Sequence, residues 1–239
     1  MKIKAICEYN REGYLIFAEN YPGAYVRGAT ENEALAKFGG EIRSYLRWNG
    51  TENPPLDAPE IEIVQRKLSK LQICDADSDV LFESEKQPLS EEAYQRLKLQ
   101  VLKSARDFGR LFDSIPNPDI SGRPHRTSFY GPVPRTPREM YEHTNSVTSY
   151  YTAAFGLTTE NVPDIYINRM QALSELEDLP DFLSGRVYIA PDGEEWTIRK
   201  VLRRFLWHDR IHAKAMWRTA FALWGDSIEN PFYFYTSSS

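Results

Sequence analysis

The sequence predicts an α+β chain, a small mixed domain followed by an all-α four-helix bundle. Three observations carry this expectation. Residues 1–85 contain short alternating apolar segments broken by turn residues, the period-2 signature of half-buried strands. Residues 86–239 switch to long stretches with a helical period. Between them, no apolar run approaches the roughly 18 residues that a membrane-spanning helix needs. Domains of 1–85 and 86–239 follow.

The first domain opens with Lys2 to Tyr9, where Ile3, Ala5 and Cys7 share a face. Gly13 marks a turn, Tyr14 to Glu19 forms a second strand, and Tyr21-Pro22-Gly23 supplies another turn because Pro fixes φ and Gly tolerates positive φ. Ala24 to Gly28 reads as a third strand. Thr30 and Glu33 form a capping box before a helix whose apolar face is Ala34, Leu35, Phe38, Ile42, Tyr45 and Leu46. Residues 49–55 form a loop with two prolines, and Ile61 and Ile63 restart a strand. Residues 65–74 show no clear period, and Val80-Leu81-Phe82 reads as one more short strand.

Four helices follow. Ser90 opens the first, with the stripe Leu97, Val101, Leu102, Ala105, Phe108, Leu111 and Phe112. Pro116, Pro118, Pro124, Pro132 and Pro134 exclude a helix from the long connection that comes next. Thr136, Pro137 and Glu139 give the second helix an N-cap, a first-turn proline and a capping box, and Gly156 ends it. Pro163 or Asp164 starts a third helix that runs to Leu179-Pro180. Glu194 or Thr197 starts the fourth, which continues to Trp224-Gly225. Residues 236–239 are expected to fray.

Composition narrows the function. The 239 residues carry 29 Lys+Arg and 34 Asp+Glu, a net charge of −5, which argues against binding nucleic acid or anionic lipid through overall charge. The N-terminus has charges among its apolar residues and does not read as a signal peptide, so a cytoplasmic address is the expectation. Cys7 and Cys74 have the spacing of neither a metal knuckle nor a redox pair.

The four histidines are His125, His143, His208 and His212. His208 and His212 lie four apart in one helix, so their rings leave the same face about 6 Å apart along the axis. That spacing offers two ligands to one metal, although two polar residues on a solvated face have the same spacing. His143, near the start of the second helix, can supply a third ligand. Three imidazoles and open positions suit Zn²⁺ or Ni²⁺. The segment His208-Asp209-Arg210-Ile211-His212 differs from the metalloprotease pattern His-Glu-x-x-His, because Asp is a methylene shorter than the Glu that acts there as general base.

Residues 136–150, TPREMYEHTNSVTSY, and 196–217, WTIRKVLRRFLWHDRIHAKAMW, resemble the DinB-like superfamily, a resemblance that spans residues 88–235. It implies a four-helix bundle with metal-binding histidines at His143, His208 and His212, a divalent ion such as Zn²⁺ or Ni²⁺, and transferase or isomerase chemistry with a low-molecular-weight thiol. Residues 13–46 resemble the HicB-like fold through Gly13-Tyr14, Tyr21-Pro22-Gly23, Gly28-x-Thr30 and Glu33-Ala34-Leu35. That family often serves as an antitoxin with an added DNA-binding segment. No helix-turn-helix or ribbon-helix-helix candidate is visible here, so an interaction or dimerisation module is the implied role.

Two functions stand at this point. In the first, a metal held by neutral imidazoles lowers the pKa of a bound thiol or water, and the nucleophile attacks a small electrophile. Asp209 and Arg210 are the catalytic candidates, Glu142 is a further one, and Arg204 or Arg210 would meet an anionic substrate. Ordinary ion pairing explains the same charges. Trp207, Trp217, Tyr150 and Tyr151 are candidate pocket walls or core residues, and His125 is a candidate fourth ligand. In the second, the chain is a non-catalytic interaction or regulatory protein with a structural or vestigial metal site. Its first domain would take a protein partner by strand addition at a sheet edge. Under either function the resemblance also implies a homodimer as a candidate assembly, because DinB-like bundles often pair.

Overall fold

The structure, a computed structural model, describes residues 1–128 and 130–235. The fraying expected at residues 236–239 lies outside the described residues. The chain has mixed α and β structure and divides into two compact units. The first is Met1–Phe82 joined by the chain from Phe232 onward, and the second is Glu83–Pro231.

The first unit is built on a four-stranded sheet of order β3-β2-β1-β4. Strands β1 (Lys2–Tyr9), β2 (Tyr14–Ala18) and β3 (Tyr25–Gly28) form an antiparallel meander, and β4 (Glu60–Leu68) lies parallel to β1. A parallel neighbour needs a crossover, which is supplied by α1 (Glu31–Leu35) and α2 (Phe38–Trp48). Their buried Ala34, Phe38 and Ile42 belong to the same core as Ile3, Ala5 and Cys7 of β1. The capping box of Thr30 and Glu33 forms as expected.

Three expectations change here. The single helix from Thr30 breaks into two at the Ala36-Lys37 turn, with Gly39 and Gly40 falling in the first turn of α2. The strand restarting at Ile61 runs on to Leu68. Val80-Leu81-Phe82 is not a strand: its three residues are buried, Phe82 packs on Phe17, and the Leu81 carbonyl accepts a hydrogen bond from Gln65 Nε2 at 3.0 Å. The boundary at the far end also moves. Instead of closing the second domain, the tail returns to the first unit, where Ser44 Oγ donates to the Phe232 carbonyl at 2.9 Å and the Phe232 ring stacks on Trp48. An added Cβ on Gly40 would lie 2.0 Å from the Tyr235 hydroxyl oxygen, so α2 uses a glycine to admit that ring.

Strand β4 is an edge strand with alternate residues exposed. A bulge interrupts its register opposite Ala5/Ile6, and Glu60, Glu62, Arg66 and Lys67 dot its length. Bulges and charges are the devices that keep edges from pairing. Cys7 is buried and Cys74 exposed, and both are free thiols.

The second unit contains α3 (Glu91–Asp113), α4 (Pro137–Ala153), α5 (Ile165–Glu177) and α6 (Ile198–Trp224). Each starts on a side-chain cap: Ser90, the Thr136/Glu139 box, Asp164 and Thr197. Helices α3 and α4 each pack on both α5 and α6. Two two-stranded ribbons occur in the connections: β5 (Thr127–Ser128) with β6 (Gly131–Pro132), and β7 (Tyr188–Ile189) with β8 (Glu195–Trp196). From Ile198 to Arg210, α6 buries side chains on every side apart from the half-buried Arg199, the pattern of a core helix rather than a surface one.

Glu8, on β1, is fully buried and accepts a hydrogen bond from Ser78 Oγ. Burial, with the Asp79 carboxyl beside it, pushes its pKa up to about 7, against the pull of Ser78 and Lys67. A carboxyl whose folded pKa is raised loses stabilisation as pH rises from its unfolded value, near 4.3, to its folded one. Glu8→Gln is therefore expected to raise the melting temperature at pH 8 and to change it little at pH 4. Equal shifts at both pH values would contradict this.

Candidate metal centre

His143 sits in the second turn of α4, held there by the cap at Thr136 and by burial of Met140 and Thr144 on either side. His208 and His212 sit one turn apart on α6. The two helices pack against each other and bring the three imidazoles together, so that one ring nitrogen from each lies within 4.8 Å of the others. Ring centroids are 5.2 Å apart for His143–His208, 4.7 Å for His143–His212 and 4.5 Å for His208–His212.

The donor set fits a divalent ion. Metal–nitrogen bonds of about 2.1 Å place ligand nitrogens no more than about 4 Å apart, so small ring rotations close the cluster. Burial depresses the pKa of His143 and, most strongly, of His208, where the charges of His212, His143, Arg204 and Arg169 add to the effect. Both rings are thereby held neutral, the form that ligates metal. His208 Nδ1 is buried with no hydrogen-bond partner, an arrangement that costs free energy unless something accepts its lone pair or proton. The three ligands are neutral nitrogens, a set that suits zinc or nickel better than the oxygen-seeking calcium or magnesium.

Rings surround the cluster. Tyr130, between β5 and β6, stacks on His143 with centroids 5.1 Å apart, and Tyr151 of α4 meets His208 edge-on at 6.2 Å. Tyr151 also packs on Trp196 and Phe205. Of the expected wall residues, Tyr151 thus reaches a histidine. Tyr150 is 52% exposed and donates to Asp192, Trp207 lies against Arg204, and Trp217 packs on Phe221. His125 does not join the three-histidine group and contacts Arg135 instead. Glu142 is exposed.

Asp209 and Arg210, the expected catalytic pair, occupy different surroundings from those their sequence suggests. Neither is a surface residue, since both are fully buried. Asp209 pairs with Arg169 of α5 at 3.2 Å rather than with its neighbour Arg210. At 100° per residue, Arg210 leaves α6 about 200° around from His208, so it does not share the histidine face. The Arg169 guanidinium also lies 3.7 Å above the Phe205 ring. Burial pushes the Asp209 carboxyl up and Arg169 opposes that shift. Because arginine keeps its charge in proteins, Asp209 acts as its counter-ion.

Arg169 and Tyr130 are the neighbours that sequence reasoning missed. Arg169 had a signal: it falls at i+4 from Ile165 in the stripe Ile165, Ala172, Leu173 and Leu176, where an arginine is out of place unless paired. Tyr130 lies in the proline-rich connection, where no period exists to place it.

No family model matches the chain, and neither a curated protein nor a solved structure shows significant similarity to it.

Removing one member of a buried ion pair strands the other charge. Asp209→Leu is expected to destabilise the second unit by about 3–5 kcal/mol, and Arg169→Met/Asp209→Leu to recover most of that loss. Chemical denaturation of the two variants checks this, and a double variant no more stable than the single one would show that the pair is not the cause.

Proposed function

We propose that His143, His208 and His212 bind a divalent metal ion, zinc or nickel, and that the chain is a metal-dependent enzyme of the DinB-like type that transfers the sulfur of a low-molecular-weight thiol to a small electrophile. The observation that carries the metal reading is the convergence of three imidazole nitrogens from two helices within 4.8 Å. The sulfur-transfer reading rests on the resemblance of residues 136–150 and 196–217.

A bound divalent ion supplies a Lewis acid that lowers the pKa of a thiol and raises its thiolate fraction at neutral pH. The chain's own residues do the rest. His143 and His208 enter as neutral donors because burial disfavours their protonated forms. Tyr151 and Tyr130 border two of the rings and restrict water around them. The thiol gives its proton to solvent, and its sulfur forms a bond to the electrophilic carbon as the bond from that carbon to its leaving group breaks, the leaving group departing with the electron pair. Asp209 takes no proton in this scheme, because its carboxylate balances Arg169.

Elemental mass spectrometry of the purified protein is expected to find close to one zinc or nickel per chain, and His208→Ala/His212→Ala to lose it. Added metal at a hundredfold excess over its Kd should stabilise the wild-type protein by about 3 kcal/mol and leave the double variant unchanged. A wild-type protein that takes up neither ion, or a variant that binds as well, would sink the metal reading. Stoichiometric metal without an exchangeable position would favour a structural role and the interaction-protein alternative.

A further inference from the structure

In the first unit, the chain from Ile73 to Phe82 lies against the sheet face that carries Ile6 and Glu8. Apolar burial pins both of its ends, Ile73 at one and Val80 to Phe82 at the other. Between them Cys74–Asp79 is polar, with acidic residues at 75, 77 and 79, and only Ser78 is buried. Ala76 in this stretch has φ 64° and ψ 28°, the left-handed backbone that a residue with a Cβ adopts at a cost. The stretch is thus held down at its ends by packing and strained in its middle, and its one buried polar contact is with Glu8.

Glu8 meets polar groups from two elements. From the covering segment come Ser78, whose hydroxyl donates to Glu8 Oε2, and the Asp79 carboxyl beside it. From β4 comes Lys67, the register partner of Glu8, whose ammonium lies 2.5 Å from Asp79 Oδ1. Strand β2 faces Glu8 with Leu15 and brings no charge. On β1 itself the preceding Cys7 stays a neutral thiol, its pKa pushed up to about 11 by burial. Lys67 balances one carboxylate, so ionising both acids leaves a negative charge out of water. Two touching carboxyls in that position retain a proton that exposed ones lose. Glu8 Oε1 is buried and meets no hydrogen-bond donor. A proton on it turns that oxygen into a donor toward Asp79, whose 38% exposed side chain gives the proton a route to water.

We infer that Cys74–Asp79 is a proton-operated latch: a proton shared by Glu8 and Asp79 ties the segment to the sheet, and its departure to solvent lets the segment open. This device uses no metal and stands apart from the histidine centre. In the open segment Glu8 meets water and titrates near 4.3, whereas in the closed one it titrates at about 7. Opening therefore becomes easier as pH rises between those values, by up to about tenfold per pH unit, and levels off above them. Relief of the Ala76 backbone adds to the tendency to open at every pH.

Hydrogen exchange on the full chain, read by mass spectrometry between pH 5 and 8.5 and corrected for the intrinsic pH dependence of amide exchange, tests the latch. The reporters are the amides of Asp75, Ala76 and Asp77, which bond to the Gln72 and Ile73 carbonyls. They are expected to open at least about tenfold more often at pH 7.5 than at pH 5, and more readily than the amides of β1 throughout. Glu8→Gln, neutral at every pH, should flatten the profile. Asp79→Asn removes the neighbouring negative charge and should move the rise to lower pH, a check that does not depend on the glutamine variant. A flat wild-type profile, a rise that survives in Glu8→Gln, or no displacement in Asp79→Asn would overturn the inference. Equal protection of the segment and of β1 at every pH would also overturn it, because the proton would then be felt only in global unfolding.

Discussion

A buried arginine cannot shed its charge, and the arrangement of the helical unit around α6 follows from that constraint. Arg169 reaches from α5 to Asp209 on α6, with the face of its guanidinium on Phe205. Both partners are fully buried. Helices α5 and α6 each pack chiefly on α3 and α4, so the pair ties together two helices whose main neighbours are others. Breaking the register of either helix by one residue would turn one charge away from its partner, and the cost of a stranded buried charge opposes such a slip. The pair also begins one residue from His208, so the interaction that fixes the register of α6 also fixes one of the proposed ligands.

Burial acts on neighbouring groups of α6 with opposite signs. Desolvation disfavours whichever form is charged, so it raises the Asp209 carboxyl and depresses the His208 imidazole. Asp209 has a cation to oppose the shift, whereas the strongest charges acting on His208 are positive and reinforce it. Two adjacent residues in one helical turn thus take different roles. The carboxylate becomes a structural counter-ion and the imidazole a neutral donor.

The first unit is governed by pairing of a different kind. Its meander is continued by a parallel strand, and the two short crossover helices cover one face of the sheet. On β1, Ile6 and Glu8 take the opposite parity from Ile3 and Ala5, so the chain from Ile73 to Phe82 closes the other face. The aromatic tail from Phe232 adds to this unit through Ser44 and Trp48. An edge strand carrying a bulge and four charges is poorly suited to strand addition, which weakens the physical basis for a partner docking along β4.

The sequence by itself determined the elements that rest on local rules. Caps at Ser90 and Thr136 start helices because a side-chain oxygen meets an unpaired amide within a turn, Asp164 and Thr197 were each one of two starts that the local rules allowed, and the i, i+4 spacing of His208 and His212 puts both rings on one face whatever surrounds the helix. Features that depend on distant partners were beyond such rules. The breaking of one expected helix into two, the burial of Val80 to Phe82 without a strand and the return of the tail to the first unit are decided by packing between segments far apart in sequence. The same holds for Asp209, whose sequence neighbour Arg210 is the obvious partner. Adjacent residues on a helix diverge by 100°, and the tertiary structure supplied Arg169, forty positions away, on the side that the carboxylate faces.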